Sequence, residues 1–326
     1  MILTNLIFFS IGLCLLYYGA GWLVQGAASL ARSLGLTPMV IGLTVVAFGT
    51  SAPELVVSMV SAFKAKSMIA LGNVVGSNIC NIALVLGLTA VFQPVTTSRT
   101  VIRRDIPLML AISVFLFLLS LNSVISRAEG VMLFAGVVAY TGFNYKVATR
   151  VDRTVDHPKP PATETSPPDG LQKQRWRQGL MVAGGITTVV VGAELLVDAA
   201  VRMMTALGVN EKFVGLTVVA FGTSVPELAT SVMAAVRKEM DISLGNLVGS
   251  NVFNLLSVVG ASAMIRPITI PGGFVKSGLI VDYLVMMIIS LLPWLMMRQD
   301  LTISRRKGLI LVGCYVLYVI FLIFKS

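Results

Sequence analysis

One histidine and three cysteines serve all 326 residues, and charged side chains make up only 12% of the chain. Each scarcity excludes something. The lone His157 lies in a polar stretch, so neither a histidine-based zinc site nor a Ser-His pair within the membrane can be built. Cys14, Cys80 and Cys314 all fall in apolar runs without pairing or metal spacing, which argues against a disulfide framework. A soluble domain carries roughly 25% charged residues. Half that figure, with 56% apolar residues, leaves too much apolar surface for a cytosolic fold and indicates an integral membrane protein. The net charge of +10 does not mark a nucleic-acid binder, because Lys and Arg lie in short gaps between apolar runs. The N-terminus lacks a basic leader and a clear small-residue cleavage site, and reads as a first spanning helix.

What the chain does have is apolar length. A spanning helix needs about 20 apolar residues. Ten runs meet this, at about 4–27, 39–62, 68–92, 106–122, 128–148, 178–203, 212–235, 241–264, 278–298 and 308–324. The expected fold is an all-α integral membrane protein of ten transmembrane helices. The one long polar segment, 149–176, holds Pro158, Pro160, Pro161, Pro167 and Pro168 and reads as a flexible or extended linker. It separates a first five-helix unit (1–148) from a second (177–326). With the N-terminus outside, 17 of the 25 basic residues fall in inside loops. The bias predicts both termini outside and a cytoplasmic linker.

The chain also repeats itself. GLTVVAFGTS stands at 42–51 and again at 215–224, followed by Ala52-Pro53-Glu54 and by Val225-Pro226-Glu227. LGNVVGSNICN at 71–81 returns as LGNLVGSNVFN at 244–254, at the same offset of 173. Five helices per unit is an odd number, so the second copy enters the membrane from the opposite side. The units form two inverted five-helix repeats, an architecture that places binding sites near mid-membrane where the repeats meet.

On a helix, Ala47, Thr50, Ser51, Glu54 and Ser58 share one face, as do Ala220, Thr223, Ser224, Glu227 and Ser231. Asn73, Ser77 and Asn81 are spaced by four, and Asn246, Ser250 and Asn254 repeat the pattern. Pro53 and Pro226 lack an N–H, so the carbonyls of Gly49 and Gly222 lose their helical donors. These are hard oxygen ligands, suited to Ca²⁺ and Na⁺ and poorly suited to copper or zinc. Two ionised glutamates supply a charge of −2, matching one Ca²⁺ or two Na⁺. Asn78 and Asn251 read as residues that bond across helices. Glu194 and Asp198, whose counterparts are Gly21 and Gln25, are not expected to be ligands, and Asp282 reads as a helix-end residue.

The paired Gly-Thr-Ser-x-Pro-Glu and Gly-Asn-x-x-Gly-Ser-Asn-x-x-Asn phrases resemble the two alpha repeats of the sodium/calcium exchanger family, within the calcium/cation antiporter superfamily. The resemblance covers nearly the whole chain and is to the prokaryotic type. It implies an antiporter, not an enzyme, in which Ca²⁺ and Na⁺ take turns at one central site. It implies ligands at the Ala47 carbonyl, Thr50, Ser51, Glu54, Ser77 and Asn81, and at the Ala220 carbonyl, Thr223, Ser224, Glu227, Ser250 and Asn254. It further implies that the first and sixth helices slide against the rest. No cofactor is expected beyond the transported ions. The expected partners are those ions and the bilayer of a bacterial-type inner membrane, with the monomer as the working unit. Some relatives, including potassium-dependent exchangers, carry Asp where this chain has Asn254. Carboxylates also serve protons, so Ca²⁺/H⁺ exchange and K⁺-dependent exchange stay open on the sequence.

Overall fold

The computed structural model describes residues 2–154, 168–206 and 220–325. In the first half, α1 (Ile2–Leu34) is followed by a broken helix. It consists of α2 (Pro38–Ile41), a π-helical stretch (Gly42–Val46), α3 (Ala47–Thr50) and α4 (Ala52–Phe63). Next come α5 (Ser67–Ile79), a second π-helical stretch (Cys80–Val85) and α6 (Leu86–Phe92). A third π-helical stretch (Val101–Asp105) leads into α7 (Ile106–Ser120), and α8 (Arg127–Thr154) closes the half. The second half runs through α9 (Pro168–Ala206), α10 (Ala220–Gly222), α11 (Val225–Val236) and α12 (Met240–Phe253). It continues with a fourth π-helical stretch (Asn254–Val258), α13 (Val259–Ile265), α14 (Leu279–Met297) and α15 (Arg305–Lys325).

Helix covers all ten apolar runs, the seventh only from residue 220 onward, because 207–219 lie outside the described residues. By length and hydropathy, six of the described helices can cross a membrane, and the bent pair 38–50 and 52–63 makes a seventh. The inner rods are the most enclosed: within an apolar 18-residue stretch of each, 83% of the one in Met240–Ile265 and 78% of the one in Ser67–Phe92 is buried, against 11% for Arg305–Phe324. Outer helices therefore turn their apolar side chains outward, as a lipid-facing surface requires.

Two features depart from the sequence reading. Helix continues into both ends of the linker segment, to Thr154 and from Pro168, where a flexible or extended linker was expected. Pro168 stands at the first helical position, where a missing N–H costs nothing. The middle of the segment, 155–167 with His157, lies outside the described residues. The all-α expectation also misses two short antiparallel ribbons. β1 (Val95–Thr96) pairs with β4 (Thr302–Ile303), and β2 (Val124–Ile125) pairs with β3 (Ile268–Thr269). Each ribbon ties a loop of one half to a loop of the other.

The halves interlock through close helix contacts. The stretch 38–50 lies against α12. A Cβ at Gly245 would stand 2.7 Å from the Met39 carbonyl, and one at Gly249 2.6 Å from that of Leu43, so only glycine allows this approach. The packing is mirrored elsewhere, with α4 against α13 and α11 against α6. Helices α1 and α9 pack against each other along their lengths.

Candidate cation site

Both signature phrases bend where proline removes the helical donor. Ser51 has φ −80° and ψ 6°, and Ser224 φ −90° and ψ 4°, so each ends one helix and starts another. The bend between 38–50 and 52–63 is 46°. Ser51 N–H still reaches the Ala47 carbonyl at 3.0 Å, and Leu55 N–H reaches the Ser51 carbonyl at 3.1 Å. In the second copy Ser224 N–H goes to Phe221 (3.0 Å), one residue later than its counterpart's acceptor. The residues read as one helical face thus lie on two helices meeting at a break, with Glu54 and Glu227 in the first turn after it.

The breaks are brought to the middle of the partner half. Thr50 Oγ1 donates to Asn246 Oδ1 (3.0 Å) and lies 3.4 Å from Ser250 Oγ. Thr223 Oγ1 lies 3.4 Å from Ser77 Oγ, the mirror image of that contact. Ser51 Oγ donates to Glu227 Oε1 at 3.2 Å. Thr50 also reaches the Ala47 carbonyl at 3.3 Å. Ser77 and Thr223 stand beside the Glu54 carboxylate, and Thr50, Ser51 and Ser250 beside that of Glu227. The two glutamates are themselves neighbours.

Four asparagines complete the arrangement. Asn78 Nδ2 donates to the Asn251 carbonyl (3.3 Å), and Asn251 Nδ2 donates to the Asn78 carbonyl (3.4 Å). Asn81 Nδ2 donates to Asn251 Oδ1 and Asn254 Nδ2 to Asn78 Oδ1, both at 3.1 Å. The expectation that Asn78 and Asn251 bond across helices is met. Outside these, Asn73 holds Ser58 (2.9 Å) and the Glu54 carbonyl (3.2 Å), while Asn246 holds Ser231 (3.0 Å).

Glu54 and Glu227 are fully buried. Both Glu54 oxygens, Glu227 Oε2, Ser224 Oγ, Asn81 Oδ1 and Asn254 Oδ1 have no hydrogen-bond partner among the described residues. Among the described residues no Lys or Arg pairs with either glutamate; the ion pairs are Arg32–Glu239, Arg104–Asp105, Arg202–Asp198 and Lys307–Asp300. Nor does any group of three His, Cys, Asp and Glu residues come together among them. What converges is two carboxylates with neutral hydroxyl and amide oxygens. Buried acids without partners are costly in such surroundings, and a cation is the partner this oxygen set fits.

Of the residues expected at the site, Thr50, Ser51, Glu54, Ser77, Thr223, Glu227 and Ser250 meet directly, while Asn81 and Asn254 bond to the asparagines at 251 and 78. Ala220 heads α10 at the edge of the described residues. Asn246 touches Thr50 but was not among the expected ligands; its spacing of four from Ser250 was the available signal. Cys80, beside Ser224 and Tyr315, carried no such signal. Asp198 pairs with Arg202 on an exposed turn of α9, away from the glutamates.

Apolar helices wrapped around a buried cluster of hard oxygens define a class, the multi-pass membrane proteins that handle small cations. The sodium/calcium exchanger protein family profile matches residues 4–146 and 178–324, and the chain belongs to that family of antiporters. A putative antiporter, CaxA of Alkalimonas amylolytica, is 34% identical over 99% of this chain and 100% of its own. Inner membrane protein YrbG of Escherichia coli is 35% identical over 97% and 96% of the two chains. Sodium/calcium exchanger MaX1 of Methanosarcina acetivorans is 29% identical over 99% and 100%. Among solved structures, the sodium-calcium exchanger NCX_Mj soaked without Na⁺ and Ca²⁺ superposes with a TM-score of 0.83 at 30% identity, covering 99% of this chain and 100% of that one.

Proposed function

We propose that this chain exchanges Ca²⁺ for Na⁺ across the membrane at one central site. The ligands are the Ala47 carbonyl, Thr50, Ser51, Glu54, Ser77 and Asn81 with the Ala220 carbonyl, Thr223, Ser224, Glu227, Ser250 and Asn254. The observation that carries this reading is the pair of buried glutamates, one from each half, with three carboxylate oxygens that have no hydrogen-bond partner among the described residues. Ca²⁺ takes about 6–8 oxygens, a number the set can supply. With amides at both 81 and 254 the formal charge stays at −2, so one Ca²⁺ or two Na⁺ neutralise it. Because both ions need the same two carboxylates, binding one displaces the other. That competition is what couples their fluxes.

The halves, 1–148 and 177–326, are two inverted five-helix repeats joined by the 149–176 segment. Two observations support this. The hydrogen bonds Asn78–Asn251 and Asn81–Asn251 against Asn254–Asn78 are mirror images. The strands β1 and β3 are equivalent at the 173 offset, yet each pairs within a different ribbon. With ten crossings the two loops of each ribbon fall on one side, and the two ribbons on opposite sides. The bias of basic residues puts the 149–176 segment in the cytoplasm and both termini outside, in a cell (inner) membrane. One chain supplies both glutamates, so the monomer is the transport unit.

Access alternates by sliding of α1 and α9 against the rest. They pack mainly on each other, and a Cβ at Gly49 would run into Ile186 of α9. The break at the site is thus in direct contact with the moving pair, which lets ion occupancy bias its position. The test is ⁴⁵Ca²⁺ uptake into proteoliposomes driven by an outward Na⁺ gradient. Uptake driven by a proton gradient and not by Na⁺ would replace this reading with Ca²⁺/H⁺ exchange. Uptake requiring K⁺ would add a third ion.

A further inference from the structure

We infer that Asn78 and Asn251 are positioning residues that aim the amide carbonyls of Asn254 and Asn81 into the site, each acting across to the opposite half. This rests on the reading that Asn81 and Asn254 are ion ligands.

The orientation follows from a chain of donors and acceptors. A backbone carbonyl can only accept, so the Asn78 side-chain atom facing the Asn251 carbonyl must be its nitrogen. Asn78 Oδ1 is then the atom that faces Asn254. An oxygen here needs a donor, so Asn254 presents Nδ2 and turns Oδ1 the other way. That oxygen is buried and has no hydrogen-bond partner among the described residues. The mirror chain runs from the Asn78 carbonyl through Asn251 to Asn81, and leaves Asn81 Oδ1 equally buried and without a partner among the described residues. An amide has two nearly equal orientations that differ in which end it shows. Shown as NH₂, it would repel a cation; shown as carbonyl, it ligates one. The backbone carbonyls at 78 and 251 decide between them.

The π-helical stretches place this device. Asn81 lies in Cys80–Val85, and Asn254 opens Asn254–Val258. Each ligand amide thus sits where the helix is widened, three residues after the asparagine that holds its counterpart. Such local widening is frequent at functional sites. The pairing is crossed: Asn78 acts on Asn254, not on Asn81 one turn away.

The test is a double-mutant cycle on Ca²⁺ affinity, measured by calorimetry on the purified full chain, with transport KM and Vmax from ⁴⁵Ca²⁺ flux. Loss of an outer partner typically weakens metal binding about 10-fold or more. Asn78→Ala should therefore raise Kd and KM about 10-fold at unchanged Vmax, as should Asn254→Ala. The double variant should be no worse than either alone, because Asn78 acts through the amide already removed. Asn78→Ala with Asn81→Ala should multiply to about 100-fold. Asn251→Ala with Asn81→Ala repeats the non-additive cycle in the mirror copy, and serves if the first set does not fold. Multiplicative effects in the crossed pairs, or an unchanged Kd in both Asn78→Ala and Asn251→Ala, would overturn the inference. If Asn254→Ala and Asn81→Ala themselves leave Kd unchanged, the ligand reading fails instead. A merely structural role would lower the melting temperature without the crossed dependence in Kd.

Discussion

Replacing Glu54 with Gln separates two effects that ordinary destabilisation would merge. Glu54 is fully buried and neither of its oxygens has a hydrogen-bond partner among the described residues. An ionised acid at mid-membrane costs about 2.5–3.5 kcal/mol on insertion scales. Ion-free protein at alkaline pH carries that cost, so Glu54→Gln should melt at a higher temperature than the wild type when a chelator is present. Bound Ca²⁺ reverses the order. A ligand at 100 times its Kd stabilises by about 2.7 kcal/mol. If losing one of two carboxylates weakens binding about 100-fold, the same Ca²⁺ concentration equals one Kd. The stabilisation then falls to about 0.4 kcal/mol by the same relation. The assay is thermal unfolding followed by tryptophan fluorescence, with chelator and with Ca²⁺, on both proteins. A lower ion-free melting temperature together with an undiminished Ca²⁺ shift would refute the reasoning, since Glu54 would then be a structural residue.

Ser51→Ala removes the 3.2 Å bond to Glu227 and one neutral oxygen of the proposed site but no charge; Ca²⁺ affinity by calorimetry should fall about 10-fold, less than for Glu227→Gln. Gly249→Ala places a Cβ 2.6 Å from the Leu43 carbonyl and should cost about 1–3 kcal/mol by overpacking. Gly142→Ala in α8 meets nothing within 4 Å and should leave the melting temperature unchanged or raise it, by up to about 1 kcal/mol in helix propensity. Outside the spanning helices, hydrogen bonding from Lys307 holds the exposed Asp300 carboxyl below the usual aspartate range. A lowered folded-state value stabilises at pH above the unfolded one and loses that effect as pH falls through the folded one. The melting difference between wild type and Asp300→Asn should therefore shrink on acidification below the ordinary aspartate range.

Much of the candidate site was legible because its residues are neighbours in sequence. Thr50, Ser51 and Glu54 fall within five residues around Pro53, and proline announced the break that the 46° bend realises. The spacing of four in Ser77–Asn81 and Ser250–Asn254 gave the second face. Partner choice was not legible. That Thr50 meets Asn246 and Ser250 depends on how closely 38–50 approaches α12, which the glycines at 245 and 249 permit but do not by themselves announce. The π-helical stretches at 80–85 and 254–258, which hold Asn81 and Asn254, have no marker in an apolar run. The ribbons Val95–Thr96 with Thr302–Ile303 are too short to leave an alternating pattern. The linker's prolines concealed how far α8 and α9 extend, because Pro168 suits a helix start as well as a loop.

The central claim is that one cation site needs a glutamate from each half. Na⁺-driven ⁴⁵Ca²⁺ uptake into proteoliposomes, measured separately for Glu54→Gln and Glu227→Gln at matched protein incorporation, tests it most directly. The account predicts that either substitution alone abolishes exchange while the folded protein is retained. Full transport by either single variant would contradict it.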